Sequence, residues 1–356
     1  MKRKKRVLVG MSGGIDSSVC AAILKKRGYD VIGITMQLLP KEMEKESKCC
    51  NSNAITDAKR VAQQLNIPHY TINIRDDFKH HVIDYFVNEY LLGHTPNPCV
   101  ECNRYIKFDA LDQKAKELDA DYVATGHYCK ITHSPKKDRF FLKKAKDIKK
   151  DQTYFMYMLT QYQLSRTLFP LSDYTKPEIR AIAESLQLIN AKKKESQDIC
   201  FVTMGNYKEF IEEQLTSPQK EGNIVTNSGE ILGKHHGLYN YTVGQRKGLN
   251  ISYEHPLYVL KINAQKNEIV VGKESDLQQH SFEVNEYHLI NKSIFNEKKE
   301  YSIKVRYRMI PFKATIKLES ETKMTIHSHS PLKFITTGQS CVIYDNENVI
   351  GGGIIV

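Results

Sequence analysis

Three cysteines are the residues of this chain best suited to covalent chemistry. Cys99 and Cys102 form a Cys-x-x-Cys pair just before a predicted helix, and Cys200 follows the lysine run 192–194 at a distant point of the chain. A helix N-terminus or a nearby cation lowers the pKa of a thiol and favours the nucleophilic thiolate. We therefore predict that the pair is reactive and that Cys200, if it lies near the pair in space, is its redox partner.

Two other interpretations of the pair stay open. A zinc site needs two further ligands, and the sequence contains neither a second Cys-x-x-Cys nor a His-x-x-x-His. The vicinal Cys49-Cys50 also lacks a neighbouring Cys/His pair, so no protein-built metal site is predicted. Buried, inert cysteines are the second alternative, because a free cysteine is often part of a hydrophobic core.

A glycine-rich loop after a short apolar run is the second chemical signal. The run Val7–Val9 leads into Gly10-Met11-Ser12-Gly13-Gly14-Ile15-Asp16-Ser17, and an apolar, helix-compatible segment follows. Glycine lets the backbone turn sharply and approach a ligand, and a helix N-terminus favours an anion. The loop therefore predicts a phosphate site, although it lacks the lysine of GxxxxGK[ST] and does not fit GxGxxG. A helix merely capped by Asp16 or Ser17 is the alternative.

The elements that must position these groups alternate between strands and helices. Strands are predicted at 7–9, 31–36, 69–74 and 121–124, and helices at about 55–65, 78–92, 105–118 and 178–188. This alternation predicts an α/β fold with a doubly wound parallel sheet. Ligands of such sheets bind at the carboxyl ends of the strands, where Met36 and Gly126 lie. His127, beside Gly126, is interpreted as either catalytic or structural.

The predicted secondary structure changes from about residue 222, where short apolar strands replace helices. We predict three domains: 1–205 with the parallel sheet, a small central domain at 206–280, and a C-terminal antiparallel β-barrel at 281–356. The stretch Tyr301–Arg308 alternates lysine, arginine and tyrosine, a composition that contacts RNA phosphates and stacks on bases. The loop 241–249 is interpreted either as a phosphate-backbone contact or as a surface turn.

Composition limits the class of protein. The chain has 356 residues, of which 40% are hydrophobic and 26% charged, and its 52 Lys+Arg against 41 Asp+Glu give a net charge of +11. This charge suits a polyanionic partner and equally a basic soluble enzyme. No apolar run approaches the roughly 20 residues of a membrane span, so a cytoplasmic protein without a membrane partner is expected. In that compartment the eight cysteines do not predict a disulfide framework.

The ordered motifs resemble those of the bacterial tRNA-specific 2-thiouridylases, which belong to the ATP pyrophosphatase (PP-loop) superfamily. In chain order they are SGGIDSS, TPNPCVECNRYIKF, ATGHY, KDQTYFMY, AKKKESQDICF, TVGQRKGL, VRYR and the terminal GGGII. They span essentially the whole chain, and their combination is highly specific. The resemblance implies an enzyme that uses ATP and Mg²⁺ to adenylate O2 of the wobble uridine of tRNA, and that replaces this oxygen with sulfur from a cysteine persulfide.

The resemblance also implies roles for individual residues. The implied ATP contacts are Gly10, Met11, Ser12, Gly13, Gly14, Ile15, Asp16, Ser17, Met36 and Gly126. The implied tRNA contacts are Asn97, Pro98, Cys99, Lys150, Asp151, Gln152, Arg306 and Tyr307. Cys102 corresponds to the nucleophile and Cys200 to the persulfide carrier, and the two form a disulfide after sulfur transfer. Many family members have aspartate at the position of Cys99, so proton transfer there passes to a thiol, a water or another group.

The resemblance also implies partners, and two rival functions stay open beside it. The implied partners are tRNA and a persulfide-carrying donor protein, either a cysteine desulfurase or a relay protein, and a monomer is expected. One rival is a PP-loop ligase or amidotransferase that adenylates a small carboxylate, which needs neither paired thiols nor a basic barrel. The other is a non-catalytic RNA-binding module, which binds tRNA without tRNA-dependent release of pyrophosphate.

Overall fold

The computed structural model describes residues 3–40, 43, 52–193, 199–202, 206–215, 217 and 219–356. Cys49-Cys50 lies outside these residues, as does the segment 194–198 before Cys200. The chain forms two compact units. The first comprises the described residues of 1–83, 98–205 and 347–349, and the second those of 84–97, 206–346 and 350–356.

Helices occupy both units. Those of the described residues are α1 Ile15–Lys26, α2 Ser52–Gln64, α3 Arg75–Phe78, α4 Tyr85–Leu91, α5 Pro98–Glu101, α6 Phe108–Glu117, α7 Gln161–Arg166, α8 Lys176–Ser185 and α9 Tyr207–Gln214. Two π-helical segments, Lys79–Asp84 and Cys102–Lys107, follow α3 and α5 directly. Within the ranges that the structure describes, no helix is long and apolar enough to cross a membrane.

The strands are numbered in chain order. They are β1 Arg6–Gly10, β2 Asp30–Gln37, β3 His69–Asn73, β4 Tyr122–Ala124, β5 Cys129–Ser134, β6 Arg139–Lys144, β7 Thr167–Leu168, β8 Gly222–Thr226, β9 Ile231–His235, β10 Tyr258–Asn263, β11 Glu268–Gly272, β12 Gln279–Leu289, β13 Tyr301–Lys304, β14 Phe312–Leu318, β15 Lys323–Leu332, β16 Ser340–Asp345 and β17 Asn348–Ile355.

A five-stranded sheet in the order β3-β2-β1-β4-β7 is the centre of the first unit. Every neighbouring pair in it is parallel, which confirms the predicted sheet. Successive strands are added on one side of β1 and then on the other. The point where the direction of winding reverses therefore lies between β1 and β4, and in open α/β sheets this is where ligands bind.

Helices cover both faces of this sheet, as the apolar run of β1 requires. Val7 and Val9 pack in one hydrophobic cluster with residues of α1 and α8. Leu8 packs in another cluster with Leu111 and Ala115 of α6. Because successive side chains of a strand point to opposite faces, three consecutive apolar residues serve two layers of helices. The doubly wound arrangement is thus confirmed.

The second unit contains two β structures. A four-stranded sheet has the order β10-β11-β8-β9, and a six-stranded antiparallel barrel has the order β12-β15-β14-β13-β16-β17 with β12 also paired to β17. The barrel core contains Ile303, Ile316, Ile326 and Ile343. The predicted small central module and C-terminal barrel are confirmed, whereas the boundaries at 205/206 and 280/281 stay predictions.

Two local predictions were wrong. The helix expected to begin near Tyr105 begins at Pro98, so the cysteine pair lies in helical structure and not in a loop before it. Proline is well suited to the first helical turn, because its φ is already helical and its missing N–H is not needed there. The alternation of residues 302–307 predicts a strand over that whole stretch, but β13 ends at Lys304, so Arg306 and Tyr307 lie in the turn that follows it.

Candidate active site

The glycine loop leaves the N-terminus of α1 open to a ligand. Gly14 is the N-cap, and no side chain of the described residues caps the helix. Asp16 and Ser17 are therefore not the caps that the alternative interpretation required. The Ser17 hydroxyl instead donates to the Gly14 carbonyl (3.1 Å) and accepts from the Ser12 amide (3.2 Å), which closes the loop on itself. An uncapped helix start of this kind favours an anion.

Gly13 is required by the packing of the loop. Its φ is +70°, and a Cβ at this position would lie 2.3 Å from the carbonyl oxygen of Ala54, at the start of α2. A side chain would therefore push the loop away from α2. The glycine thus fixes the loop against a helix in addition to allowing a ligand to approach.

Asp16 is held by a lysine that the sequence analysis missed. Lys176, the first residue of α8, donates from Nζ to both carboxylate oxygens at 2.7 and 2.8 Å, and the Tyr128 hydroxyl donates to the same carboxylate at 2.9 Å. Only 8% of the Lys176 side chain is exposed. The loop therefore has a buried ammonium group beside it, although its own sequence contains no lysine. The Thr-Lys-Pro-Glu string predicted a helix start, but no sequence signal connected it to the loop.

Gly126 lies where β4 ends, beside the loop that follows β1. A Cβ at Gly126 would lie 2.7 Å from the carbonyl carbon of Asp16 and 2.7 Å from the amide nitrogen of Ser17. The absent side chain therefore admits the loop backbone, as expected where the winding of the sheet reverses. Met36, the other implied ATP contact outside the loop, is partly buried and packs against the cluster of Leu8 and Leu111.

The segment that leads toward Cys200 also touches the glycine loop. The buried Asn190 amide donates to the Gly13 carbonyl (3.1 Å) and to the Ser18 hydroxyl (2.9 Å). Lys193 Nζ donates to the same carbonyl at 3.3 Å and to Asp57 at 2.7 Å. Lys193, one of the three lysines before Cys200, therefore bonds both to the glycine loop and to α2.

The three predicted thiols all lie in the first unit. Cys99 lies in α5, Cys102 follows directly at the start of the π-helical segment, and Cys200 contributes electrostatically to the pKa of both. All three are free cysteines. Cys102 is 6% exposed, while Cys99 and Cys200 are partly exposed. No group of three or more His, Cys, Asp or Glu residues within the described ranges is arranged to hold a metal.

The prediction of lowered thiol pKa values was wrong for the resting protein. Burial raises the pKa of Cys99 to about 11 and that of Cys102 to about 12. Lys107 lowers both values but only in part, because removing a thiolate from water outweighs the attraction of one ammonium group. Cys99 and Cys102 are therefore protonated at neutral pH until something removes the proton.

His127 has the environment of a structural histidine. Its Nδ1 lies 2.7 Å from the Thr125 hydroxyl, and its ring packs beside Phe108 and Phe169 with centroid distances of 6.3 Å. Burial, with a smaller contribution from Lys107, lowers the pKa of His127 well below its ordinary value. The ring is neutral and its orientation is fixed by the hydrogen bond with Thr125, which favours the structural interpretation of His127.

Residues 150–152, which the resemblance implies as tRNA contacts, form hydrogen bonds within the first unit. The Asp151 carboxylate accepts from the Ala145 amide (3.2 Å) and from the Thr153 hydroxyl (2.6 Å). Gln152 accepts from the Tyr128 amide at 2.9 Å. Lys150 is partly exposed. Asp151 and Gln152 therefore hold the backbone here, and only Lys150 presents a charged group near the surface.

The implied contacts of the second unit lie in its turns. Arg306 is exposed and donates from Nη2 to the Phe334 carbonyl (3.1 Å) and the Thr336 hydroxyl (2.7 Å), while Lys304 Nζ lies 5.7 Å from the centre of the Tyr307 ring. Tyr301 does not fit the predicted base-stacking stretch. It is 1% exposed and stacks on Phe295 with ring centroids 5.5 Å apart.

Asn97 is the last residue of the segment Asp84–Asn97, which belongs to the second unit and directly precedes α5. The Thr95 amide donates to the Thr337 carbonyl (2.8 Å), and Gln339 Nε2 donates to the Thr95 carbonyl (2.8 Å). Asn97 itself is partly exposed, whereas Pro98 is buried as the first residue of α5. A barrel turn thus fixes the backbone two residues before Asn97.

Comparison with known proteins defines the class of this chain. Three family models match in order: a tRNA methyl transferase HUP domain over residues 5–204, a tRNA methyl transferase PRC-barrel domain over 208–273 and an aminomethyltransferase β-barrel domain over 279–355. The chain therefore belongs to the class of enzymes that join a HUP domain to two small β modules.

Full-length relatives identify the family within that class. The chain is 46% identical over 355 residues to the tRNA-specific 2-thiouridylase MnmA of Clostridium perfringens, covering 99% of this chain and 98% of that protein. It is also 46% identical over 354 residues to the protein of the same name from Clostridium acetobutylicum, covering 99% of each. The chain belongs to the tRNA-specific 2-thiouridylase family, which confirms the resemblance found in its motifs.

Among solved structures, a complex of a 4-thiouridine synthetase with RNA and bound ATP resembles the chain more distantly. The match covers 59% of this chain and 50% of that one, at 18% identity and a TM-score of 0.39.

Proposed function

We propose that this protein catalyses the ATP-dependent 2-thiolation of the wobble uridine of tRNA. The observation that carries the proposal is the presence, in one compact unit, of an uncapped glycine loop beside a buried lysine and of the free thiols Cys99, Cys102 and Cys200. The loop suits the activation of an oxygen by ATP, and the thiols suit the delivery of sulfur. Membership of the 2-thiouridylase family supports the same activity.

The first half-reaction activates a poor leaving group. The uridine O2 attacks the α-phosphorus of ATP, the bond to the bridging oxygen breaks, and pyrophosphate departs. The open N–H groups of α1 and the Lys176 ammonium bind the departing anion, supported by the loop contacts of Ser17. The remaining implied ATP contacts, Met36 and Gly126, are proposed to bind the adenosine side.

Asp16 is the residue of the loop suited to a magnesium ion. Mg²⁺ is usually held by phosphate oxygens and one or two carboxylates. The Asp16 carboxylate is 31% exposed and is an oxygen ligand of the kind that this ion needs, although the ion would share it with the Lys176 ammonium. When bound, Mg²⁺ would neutralise charge on the leaving pyrophosphate.

The second half-reaction transfers sulfur. Cys200 receives a terminal sulfur from the persulfide of a donor protein. In one route this sulfur attacks uridine C2 and displaces AMP, and Cys102 then attacks Cys200 Sγ to release 2-thiouridine and form a Cys102–Cys200 disulfide. In the other route Cys102 attacks first and releases hydrosulfide, which displaces AMP. Both routes end with the same disulfide and need two electrons from an external reductant before the next cycle.

Deprotonation of Cys102 is a required step in both routes. The raised pKa of Cys102 keeps its thiol protonated at rest, which protects it from oxidation before substrates arrive. Lys107 lowers the pKa of Cys99 and Cys102 and is placed to stabilise a thiolate once it forms. The proton passes to a water or a substrate group, because Cys99, which stands where many relatives have aspartate, is itself protonated at neutral pH and cannot accept it.

The same proposal covers partners and organisation. A net charge of +11 suits tRNA, and we assign tRNA contacts to Asn97, Pro98, Cys99, Lys150–Gln152 and Arg306-Tyr307. We propose the domains 1–205, 206–280 and 281–356, of which the first is catalytic and the others bind tRNA. The protein acts as a monomer in the cytoplasm, with a cysteine desulfurase or relay protein as its sulfur donor.

Pyrophosphate release is the measurement that tests this function. The purified protein is assayed with ATP and Mg²⁺, with and without unmodified tRNA and a cysteine desulfurase with cysteine, and 2-thiouridine is quantified. We expect release only with tRNA, and 2-thiouridine only with the sulfur source. Cys200→Ser should keep tRNA-dependent release but lose 2-thiouridine, whereas Cys341→Ala, in the barrel, should retain both. Release without tRNA would favour the ligase, and tRNA binding without release would favour the RNA-binding module.

A further inference from the structure

The peptide between Gly13 and Gly14 has glycine on both sides, so the sterics of its own residues do not fix its orientation. Turning this peptide over would change the φ of Gly14 from −88° to a positive value, which glycine adopts readily. In a trans peptide the carbonyl and the following N–H point in opposite directions, so the Gly13 carbonyl decides where the Gly14 N–H points. The anion site at the start of α1 therefore depends on how that carbonyl is held.

Two donors from the segment between α8 and Cys200 hold the Gly13 carbonyl. The Asn190 amide donates to it at 3.1 Å, and Lys193 Nζ donates at 3.3 Å. Because a carbonyl oxygen only accepts, the group of Asn190 that faces it must be the NH2 group. The same NH2 group donates to the buried Ser18 hydroxyl at 2.9 Å, and Asn190 is only 5% exposed, so this side chain is fixed in place.

The other end of the Asn190 amide shows which part of it the fold uses. Its Oδ1 is buried and has no hydrogen-bond partner among the residues that the structure describes. A buried acceptor without a partner lowers the stability of a protein, and such an atom needs an explanation. Here the explanation is the NH2 group, which is bonded to the glycine loop and to α1.

We propose that Asn190 is a positioning residue for the first half-reaction, because it fixes the Gly13–Gly14 peptide with the Gly14 N–H toward the departing pyrophosphate. Lys193 supports the same orientation and is itself held by an ion pair with Asp57 of α2 (2.7 Å). Asn190 acts through the backbone and does not touch the substrates. The inference rests on the proposed function for the identity of the anion, and on the hydrogen bonds of the Gly13 carbonyl for the role of Asn190.

The effect of Asn190 concerns the phosphate half of ATP. A peptide that has turned over presents the Gly13 carbonyl oxygen to the anion in place of the Gly14 N–H. Losing one hydrogen bond to a charged group corresponds to a loss of affinity of at least about tenfold. The groups proposed for the adenosine side, Met36 and Gly126, are not part of this peptide, so the affinity for AMP should not change.

Binding of the two halves of ATP tests the role of Asn190 in the full-length protein. The probes are inorganic pyrophosphate with Mg²⁺ and, separately, AMP, and Kd is measured by calorimetry. Asn190→Ala and Asn190→Leu both remove the NH2 group without adding charge, and leucine keeps the branched shape of asparagine. We expect each variant to bind pyrophosphate at least about tenfold more weakly and AMP within about twofold of wild type.

Ser18→Ala is the matched control. It removes the other acceptor of the Asn190 amide but leaves the bond to the Gly13 carbonyl. We therefore expect the affinity of this variant for pyrophosphate to stay within about threefold of wild type.

A measurement on wild-type protein does not depend on the folding of a variant. With isotope labels at the carbonyl carbon and the amide nitrogen of glycine, NMR selects only the amides that follow another glycine. The sequence contains three such amides, those of Gly14, Gly352 and Gly353. We expect the Gly14 resonance to shift when pyrophosphate is added, and the other two, which belong to β17, to stay where they are.

The outcomes separate this role from the proposed function. Unchanged pyrophosphate affinity in both Asn190 variants, equal losses for pyrophosphate and AMP, or a wild-type Gly14 amide that does not respond to pyrophosphate would overturn the positioning role. Wild-type protein that binds pyrophosphate but makes no 2-thiouridine would overturn only the proposed function. Wild-type protein that binds no pyrophosphate would overturn the assignment of the glycine loop, and this inference with it.

Discussion

Replacing Lys176 with methionine tests the role of the buried lysine beside the glycine loop. The variant keeps most of the side-chain volume but removes two charge-assisted bonds to Asp16, at 2.7 and 2.8 Å, and the positive charge that we propose for binding pyrophosphate. Hydrogen bonds to charged groups contribute about 1.5–3 kcal/mol each. Since Asp16 is 31% exposed and water replaces part of the loss, we expect unfolding to become easier by about 2 kcal/mol in total.

The catalytic loss should exceed the loss of stability. Removing a preorganised group that stabilises developing charge typically lowers kcat by about 10²–10³. We therefore expect tRNA-dependent pyrophosphate release by Lys176→Met to fall about a hundredfold, with a higher KM for ATP. Release is measured at saturating tRNA, and stability by urea unfolding of the same preparation.

Two variants separate charge at the site from general damage. Lys146→Met removes an exposed ion pair between Lys146 and Glu178 (2.9 Å), a residue of α8 like Lys176. This pair is worth at most about 1 kcal/mol, so the variant should leave pyrophosphate release unchanged. Asp16→Asn combined with Lys176→Met removes the uncompensated carboxylate, so it should recover stability without recovering activity. Normal pyrophosphate release by Lys176→Met would refute the assignment of Lys176 to the anion.

Three further predictions concern the thiols, the sheet junction and His127. In a single-turnover assay Cys99→Ser should retain more thiolation than Cys102→Ser or Cys200→Ser, and equal losses from all three would instead support a functional Cys99–Cys102 pair. Gly126→Ala places a Cβ 2.7 Å from the backbone of Asp16 and Ser17, so it should cost about 1–3 kcal/mol of stability in urea and weaken ATP binding. The control Gly233→Ala, whose Cβ would meet only Ile251 at an ordinary 3.6 Å, should leave ATP binding unchanged and cost less stability. The folded-state pKa of His127 lies well below its unfolded value, so its contribution to stability is full above an unfolded pKa of about 6.5 and is lost as the pH falls below it by up to about 1.4 kcal/mol per unit. His127→Gln should flatten that slope in unfolding measured between pH 5 and 7, and an unchanged slope would contradict the burial argument.

Local patterns predicted the architecture because they report which faces are buried. The run Val7–Val9 reads as a strand buried on both sides, and its residues do pack against helices on both faces of the sheet. The change from helices to short strands after residue 222 likewise predicted the central module and the barrel. Such signals lie within a few residues of one another, so sequence alone contains them.

The errors concern properties that depend on distant parts of the chain. The pKa of Cys102 is decided by what encloses the thiol, which no neighbouring residue reveals, so a helix start and nearby lysines predicted the wrong direction. Lys176 was missed because it reaches Asp16 from 160 residues away. Tyr301 was assigned to base stacking because alternation does not show which face of a strand is buried, and this ring points into the barrel core.

The π-helical segment Cys102–Lys107 makes the length of this part of the chain a determinant of the active site. A π-helical turn contains one residue more than an α-helical turn, and each residue of an α-helix advances the chain by about 100° around the axis. If all six residues of this segment adopted regular α-helix, α5 would rotate by roughly 100° relative to α6, whereas the simultaneous loss of one residue would largely cancel that rotation. The side chains of Cys99 and Cys102 would then change their direction relative to α6 while the sequence of the motif stayed the same. Rotational phase, and not only residue identity, is therefore under constraint in this helix.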